Sequence, residues 1–271
     1  MSDVRIQDSF FDVSGGTVFA RKWIVDNLVG SPVVLLHDSL GSVDLWRDFP
    51  GALAQSLKRP VIAYDRLGFG RSSARQGLPS ANFISEEAQI CFPAIAGALG
   101  LKRFSLFGHS VGGVMALAIA ASHVSECEWV VSESAQAFVE QRTLAGILAA
   151  KEQFEHPGQL SKLAKWHGDK AQWVLDAWTE VWLSPAFASW SLDQYLAKVR
   201  CPVLAVHGDL DEYGSVEFPT RIVRGVQGAS QLAILQGCGH VPHRERQGTV
   251  LELVLGFVAS IESSQSARLG A

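Results

Sequence analysis

Cysteine pairs, basic runs and long apolar stretches are all missing from this 271-residue sequence. The cysteines are widely separated and form no C-x-x-C pair, which argues against a disulfide framework and a cysteine-based zinc site. The formal net charge is −4, and the lack of a basic run argues against a nucleic-acid surface. No apolar stretch reaches membrane-spanning length without a charge, a glycine or a proline. We therefore expect a soluble protein with reduced thiols that binds neither nucleic acid nor membrane.

Signals for targeting and for cofactors are also scarce. The opening "MSDVRIQDSFFDVSGG" has charges where a secretory signal needs an apolar core, so we expect a cytoplasmic protein. The chain contains no Walker A lysine motif, no G-x-G-x-x-G at the first βα unit and no histidine pair with metal-ligand spacing. The sequence therefore predicts no cofactor and no metal ion, and it gives no indication of oligomeric state. The partner that we expect is a small-molecule substrate.

Short apolar runs alternate with longer amphipathic segments along most of the chain. The runs are rich in Val, Ile and Leu and apolar on both faces, as in parallel strands covered by helices. This alternation predicts an α/β fold with a mostly parallel central sheet flanked by helices. An antiparallel hairpin around "SGG" is expected at residues 4–25. The predicted strands are 32–37, 60–65, 103–109, 128–133, 202–209 and 231–236, and the predicted helices are 81–100, 111–123, 217–227 and 246–262.

Residues 138–190 break the alternation, because no strand pattern appears among them. The segment is typical of several amphipathic helices, with "HPG" and "HGD" as punctuation. Since it follows the sixth predicted strand, we expect a small helical cap over one end of the sheet, with a core formed by residues 1–137 and 191–271. Trp178 and Trp182 are four residues apart and share one helical face. They either line a substrate pocket or pack the cap onto the core.

Ser110 in "SLFGHSVGG" is the first candidate for chemistry. Residues 108–112 fit G-x-S-x-G, follow a predicted strand and open a predicted helix, which is the context of a nucleophile elbow. Such a turn is tight and strained, so small residues must flank the serine. The alternative is a structural turn without chemistry.

Two later clusters offer partners for the serine, whose hydroxyl needs a base beside it. Asp209, Asp211 and Glu212 follow one predicted strand, and His240 and His243 follow the next. Both clusters lie at carboxyl ends of strands, where open α/β sheets place their sites. We favour His240, whose Gly-flanked loop follows the strand directly, and expect His243 to be a solvated residue at a helix start. We favour Asp211, which is far enough past its strand to reach the histidine, and expect Asp209 to accept from backbone N–H groups.

Five segments together resemble the α/β-hydrolase superfamily over nearly the whole chain. They are "LLHDSLGS" at 35–42, "YDRLGFGRS" at 64–72, "GHSVGG" at 108–113, "HGDLDEYG" at 207–214 and "GCGHVPH" at 237–243. The resemblance implies the α/β-hydrolase fold, with Ser110 as nucleophile, Asp211 as acid and His240 as base. It also implies an oxyanion hole formed by the backbone N–H groups of Val111 and Ser39. The "GFGRS" segment resembles a structural turn of the family, so no catalytic role is given to its arginine.

Asp38 departs from this pattern, since many members have His-Gly where this chain has His37-Asp38. A carboxylate aimed into an oxyanion hole would oppose the negative charge that develops there. We therefore expect Asp38 to point away, to bond its own loop or to pair with an arginine such as Arg66. The alternative is that Asp38 lines the pocket and contacts a polar substrate group. His37 and His109 are further candidates for the substrate pocket.

Glu133 ends the strand "EWVVSE", a position from which some members of the family supply a functional carboxylate. It is our second candidate for the acid and a candidate pocket residue. The alternative is a buried acid bonded to backbone donors.

The sequence predicts a serine hydrolase with a Ser-His-Asp triad, acting on a small apolar or aromatic carbonyl substrate. Carboxylic esters, enol lactones and the carbon–carbon bonds of vinylogous diketones are the substrate classes that the resemblance implies. Two other functions stay open. One is a cofactor-free oxygenase of an aromatic heterocycle that uses His240 and Glu133, with Ser110 as a binding group. The other is a ligand receptor on the same scaffold that performs no chemistry.

Overall fold

Eight strands form a single sheet in a computed structural model that describes the backbone of residues 3–269 and the side chains of residues 3–264. The strand order is β1-β2-β4-β3-β5-β6-β7-β8. The hairpin strands β1 and β2 are antiparallel to each other, β2 is antiparallel to β4, and all other neighbours are parallel. The strands are β1 Arg5–Val13, β2 Gly16–Ile24, β3 Val33–Leu36, β4 Val61–Tyr64, β5 Phe104–His109, β6 Cys127–Glu133, β7 Val203–Gly208 and β8 Ser230–Leu235.

Helices cover both faces of the sheet and give it two separate apolar layers. One layer packs α1 and α11 against the sheet, and the other packs α3, α4 and α9 against the opposite face. The short α2 continues into α3 through a π-helical turn at Glu87–Cys91. The helices are α1 Phe49–Leu57, α2 Phe83–Glu86, α3 Phe92–Ala98, α4 Val111–Ser122, α5 Gln141–Glu155, α6 Gln159–His167, α7 Ala171–Trp182, α8 Asp193–Leu196, α9 Glu217–Gly225, α10 Pro242–Glu245 and α11 Gln247–Leu269.

Helix α4 is apolar all round, and every residue from Val111 to Ala120 is buried. A helix of this kind needs cover on every side, which explains its place at the middle of the sheet. The predicted hairpin, strands and flanking helices are all present, with ends that differ by a few residues. The largest differences are the π-helical turn before α3 and the extension of α11 beyond residue 262. None of the helices within residues 3–269 has both the length and the apolarity to cross a bilayer.

Helices α5 to α7 form an insertion between β6 and β7. Its ends lie close together, because Phe138 and Ser191 pair across an isolated antiparallel bridge. Residues of α6 and α7 pack on Phe69 in the loop after β4. From α5, the Thr143 hydroxyl donates to the Tyr213 carbonyl in the loop after β7, at 2.7 Å. The insertion therefore lies over the carboxyl ends of the parallel strands.

Candidate active site

Ser110 forms the turn between β5 and α4, at φ 54° and ψ −125°. A non-glycine residue in this region is strained and is held by its surroundings. Those surroundings leave no room for side chains on the flanking glycines. A Cβ on Gly108 would lie 2.1 Å from the Gly112 carbonyl oxygen, and one on Gly112 would lie 2.0 Å from the Leu36 carbonyl oxygen. The two glycines are therefore required by close backbone packing, and the turn holds the serine at the end of the sheet.

His240 and Asp211 form a buried pair at the same end of the sheet. The Asp211 carboxylate oxygens lie 2.8 and 2.9 Å from His240 Nδ1. Because a carboxylate only accepts, Nδ1 carries the proton and Nε2 is left as an acceptor. Burial alone would raise the pKa of Asp211, but the hydrogen bond and charge of His240 lower it below its ordinary value. Asp211 is thus held as the anion that orients the imidazole.

Ser110 and His240 line one cavity of about 140 Å³ that also contains Asp38 and Ser39. Within residues 3–264, Ser110 Oγ makes its hydrogen bond with Gln136 Nε2, at 3.3 Å, and none with His240. Contacts between a catalytic serine and its base are often loose without substrate and tighten in the reacting complex. Gln136 was not predicted from the sequence, because it follows β6 without a recognisable motif.

Ser39 and Val111, which we expect to form the oxyanion hole, both have free backbone N–H groups within the described part of the chain. Their backbone N–H groups have no acceptor among the hydrogen bonds of residues 3–264. The neighbouring Leu40 N–H is occupied, since it donates to Asp38 Oδ1 at 2.7 Å. Val111 is also the first residue of α4, where the helix presents free N–H groups and the positive end of its dipole.

Asp38 bonds its own loop and also faces His109. Its Oδ2 lies 3.4 Å from His109 Nδ1, and its side chain is one-third exposed to the cavity. Burial disfavours a charged imidazole, yet the contacts with Asp38 and the charge of Glu133 raise the pKa of His109 to about 9. Burial likewise opposes ionisation of Asp38, but His109 keeps the pKa of this carboxyl below its ordinary value. The two residues therefore form an ion pair at neutral pH.

Arg66 does not pair with the Asp38 carboxylate, contrary to one of our expectations. The guanidinium donates instead to the Asp38 backbone carbonyl, with Nη2 at 2.8 Å. His37 Nδ1 donates to the same carbonyl at 2.8 Å, and His37 Nε2 accepts from the Arg66 backbone N–H at 3.2 Å. These bonds fix the loop after β3 against the loop after β4.

Glu133 and His243 correct two further expectations. His243 is buried rather than solvated, and its Nδ1 donates to Glu133 Oε2 at 2.5 Å. Glu133 is also fully buried, but its partner is this imidazole and not a backbone donor or His240. Together with His109 these are the described side chains whose ligand atoms, within 4.8 Å of one another, are close enough to hold a metal ion. The hydrogen bond between His243 and Glu133 already pairs two of these three side chains without a metal ion.

The remaining predicted residues separate into those that line the cavity and those that do not. Asp209 accepts from the Gly237 backbone N–H at 2.7 Å, as expected for a backbone-bonding residue. Of the predicted pocket residues, His37 and Glu133 do not line the cavity of about 140 Å³. The lining residues that were predicted are Asp38, His109, Trp178 and Trp182, and those missed include Gln136, Thr143, Ile147 and Tyr213. Tyr213 directly follows the acidic cluster, and its ring centroid lies 4.8 Å from that of His240.

Comparison with known proteins identifies the family. The model described as the alpha/beta hydrolase family matches residues 33–253. The chain belongs to this family. The match confirms the family resemblance and the fold class expected from the sequence, and it supports a hydrolase.

Several proteins are similar to this alpha/beta hydrolase. A 2-hydroxy-6-oxo-2,4-heptadienoate hydrolase of Pseudomonas putida is 27% identical over an alignment 253 residues long, which covers 85% of this chain and 90% of the relative. The human 1-acylglycerol-3-phosphate O-acyltransferase ABHD5 is 34% identical over 132 residues, 49% of this chain. The aligned part spans only 37% of the length of that acyltransferase. The crystal structure of an enol-lactonase from Burkholderia xenovorans has a TM-score of 0.71 at 18% identity, covering 93% of this chain and all of that one. At such identity the structural likeness shows the fold alone.

Proposed function

We propose that this alpha/beta hydrolase is a serine hydrolase with Ser110 as nucleophile, His240 as base and Asp211 as acid. The observation that carries the proposal is the buried His240–Asp211 pair, which faces the same cavity as the strained Ser110. The oriented pair supplies the base that a serine hydroxyl needs at neutral pH.

Acylation begins with the substrate carbonyl beside Ser110. As Oγ attacks the carbonyl carbon, its proton passes to His240 Nε2, the nitrogen that Asp211 leaves free. The resulting imidazolium is stabilised by the Asp211 carboxylate. The carbonyl electron pair moves onto oxygen, where the N–H groups of Ser39 and Val111 bind the negative charge. Each such donor is worth roughly 2.7–4 kcal/mol of barrier in enzymes of this type.

Collapse of this intermediate breaks the bond to the leaving group, which takes the proton from His240. A water molecule then gives a proton to His240 and attacks the acyl carbon. The bond to Ser110 Oγ breaks, the serine recovers its proton, and the acid is released. The net reaction consumes one water molecule and needs no redox partner.

The cavity lining supports an apolar or aromatic substrate. Trp178, Trp182, Ile147 and Tyr213 give the cavity apolar walls around a few polar groups, which is the usual make-up of a small-molecule site. Three of these residues come from the helices that follow β6. We propose that residues 138–190 act as a cap that desolvates the site, over a core formed by residues 1–137 and 191–271. Esters, enol lactones and vinylogous diketones all present a carbonyl of this kind.

A serine-directed fluorophosphonate probe tests the proposal. We expect the wild-type protein to be labelled at Ser110 and the Ser110→Ala variant to stay unlabelled. The matched control is Ser105→Ala, in the strand β5 that leads to Ser110 but fully buried and outside the cavity, which should keep the label. An unlabelled wild type that consumes oxygen with a hydroxyquinolone would support the oxygenase instead. An unlabelled protein that binds a ligand without turnover would support a receptor.

A further inference from the structure

A second, smaller cavity of about 40 Å³ adjoins the one that contains Ser110. The two share Ser39, Trp178 and Trp182 in their walls, so they meet at the loop after β3. Both residues proposed for the oxyanion hole, Ser39 and Val111, line the smaller cavity. A carbonyl bound by Ser110 and these N–H groups would therefore lie where the two cavities meet.

The smaller cavity is also lined by Arg66, a buried residue that is only 7% exposed. A guanidinium has five N–H donors. The one good acceptor in reach is the Asp38 carbonyl, at 2.8 Å from Nη2. The remaining contacts are 3.4 Å to the ring nitrogens of His37 and 3.5 Å to Met115 Sδ. His37 Nδ1 already donates to Asp38, so it offers no lone pair to the arginine.

The charge of Arg66 is not balanced by a contact. Among the ion pairs of residues 3–264, no carboxylate lies within 4.0 Å of its nitrogens. Glu87 lines the same cavity and its charge favours the charged form of Arg66, but burial raises the pKa of Glu87 against the opposing effect of Arg66, and Glu87 Oε1 accepts from the Tyr64 hydroxyl at 2.5 Å. The face of Phe69 lies 4.4 Å from the guanidinium carbon and covers one side. A buried cation without a paired anion is costly, and a bound carboxylate would offset that cost with charge-assisted hydrogen bonds.

The chemistry of the triad decides which part of the substrate enters this cavity. His240 must give its proton to the leaving group, and His240 lines the larger cavity but not the smaller one. The leaving group therefore lies in the larger cavity. The acyl group lies on the opposite side of the carbonyl, toward Arg66.

We propose that the acyl part of the substrate carries a carboxylate, which the Arg66 guanidinium binds in the smaller cavity. This inference rests on the proposed serine hydrolase and names its substrate class: esters or related acyl derivatives of short dicarboxylic acids. The volume limits the acyl chain. One water needs about 10–15 Å³ on this measure, so about 40 Å³ holds a carboxylate and about one methylene group, and a second methylene would lie where the two cavities meet.

Two benzyl esters of nearly the same shape test the inference. Benzyl hydrogen succinate carries the carboxylate, and benzyl levulinate has a neutral methyl ketone in its place. Both release benzyl alcohol, which is followed by chromatography. For the wild type we expect kcat/KM to be at least about tenfold higher for the succinate, as a charge-assisted hydrogen bond predicts. A ratio at or below one overturns the inference.

Arg66→Met should lower the succinate-to-levulinate ratio of kcat/KM about 10- to 100-fold, mostly through KM for the succinate. The matched control is Arg71→Met, because Arg71 lies in the same loop but outside both cavities and pairs with Asp8 and Asp44. That variant should keep the wild-type ratio. Glu87→Gln removes the other acid of the cavity and should raise the ratio. If Arg66→Met does not fold, the wild-type ratio decides alone.

Failure of the inference is distinct from failure of the proposed function. Labelled Ser110 and turnover of levulinate without preference for succinate would leave the serine hydrolase intact and remove the carboxylate site. Absence of both labelling and turnover would overturn the hydrolase, and the acyl-side assignment with it.

Discussion

Replacing Asp38 with Asn should remove most of the pH-dependent stability that this protein gains from protonated His109. In the wild type the Asp38 carboxylate lies 3.4 Å from His109 Nδ1, and His109 Nε2 donates to the His240 carbonyl at 2.9 Å. Asn keeps an oxygen that can accept from the Leu40 N–H, so the loop retains its local hydrogen bond. What the substitution removes is the negative charge beside His109.

The size of the effect follows from the pKa of His109. Desolvation works against its charged form, yet its contacts raise the pKa from 6.5 to about 9. At 1.36 kcal/mol per unit this shift corresponds to about 3 kcal/mol of stability. Asp38 is one-third exposed and Glu133 also contributes to the shift. We therefore assign about 2 kcal/mol to Asp38.

Protonation of His109 favours the folded state, because the pKa of His109 is higher in the folded than in the unfolded protein. The contribution is complete below pH 6.5 and is lost as the pH rises through about 9. Asp38→Asn should therefore be less stable than the wild type by about 2 kcal/mol at pH 6, and the difference should shrink toward pH 9.5. Other ionisable groups near His109, Glu133 and His243, are present in both proteins and largely cancel in the comparison.

Urea unfolding of the two proteins at pH 6, 7, 8 and 9 measures the difference directly. His109→Gln is the matched control, because Gln can still donate to the His240 carbonyl but does not titrate. It should flatten the pH dependence as Asp38→Asn does, and the double variant should add no further flattening. If Asp38→Asn keeps the wild-type slope between pH 6.5 and 9, the ion pair is not the source of the stability.

Three further substitutions test the site. Asp211→Asn should lower kcat about 10⁴-fold, as in other Ser-His-Asp triads. Glu133→Gln should lower the Tm but leave kcat within about tenfold of the wild type. Equal losses of kcat in the two variants would contradict the choice of Asp211 as acid. Gly112→Ala should yield no folded protein, because its Cβ would lie 2.0 Å from a backbone oxygen. The control Gly97→Ala has nothing within 4 Å of its Cβ, and its free energy of unfolding, measured by thermal unfolding, should rise by up to about 1 kcal/mol. Trp178→Ala should raise KM for benzyl esters more than for methyl esters, and an equal rise would place Trp178 outside the leaving-group site.

Much of the fold could be predicted because its strands are buried on both faces. Such strands are short, continuous apolar runs, and the glycines and charges that end them mark the carboxyl edge of the sheet. Ser110 directly follows β5, and Asp211 and His240 lie in the loops that follow β7 and β8, so sheet order brings all three to one edge. Helix ends were less predictable, since the π-helical turn before α3 has no distinct sequence pattern.

The partners of the buried polar groups could not be predicted, because each pair joins segments far apart in the chain. Glu133 ends β6 and His243 lies in α10, 110 residues later. No local periodicity relates two such positions, and the solvated interpretation of His243 followed from its helix-start position alone. Arg66 is a similar case. The sequence suggests it as a partner for the Asp38 carboxylate, and only the packing shows how few acceptors surround its guanidinium.

His109 explains why the departure at Asp38 is compatible with an oxyanion hole. A free carboxylate in this loop would oppose the charge that develops on the substrate oxygen. Here one carboxylate oxygen accepts from Leu40, the other faces a protonated imidazole, and the Ser39 N–H is left available. The same imidazole donates to the backbone of His240. A single charged side chain next to Ser110, the proposed nucleophile, therefore neutralises the loop after β3 and connects it to the loop that carries His240, the proposed base.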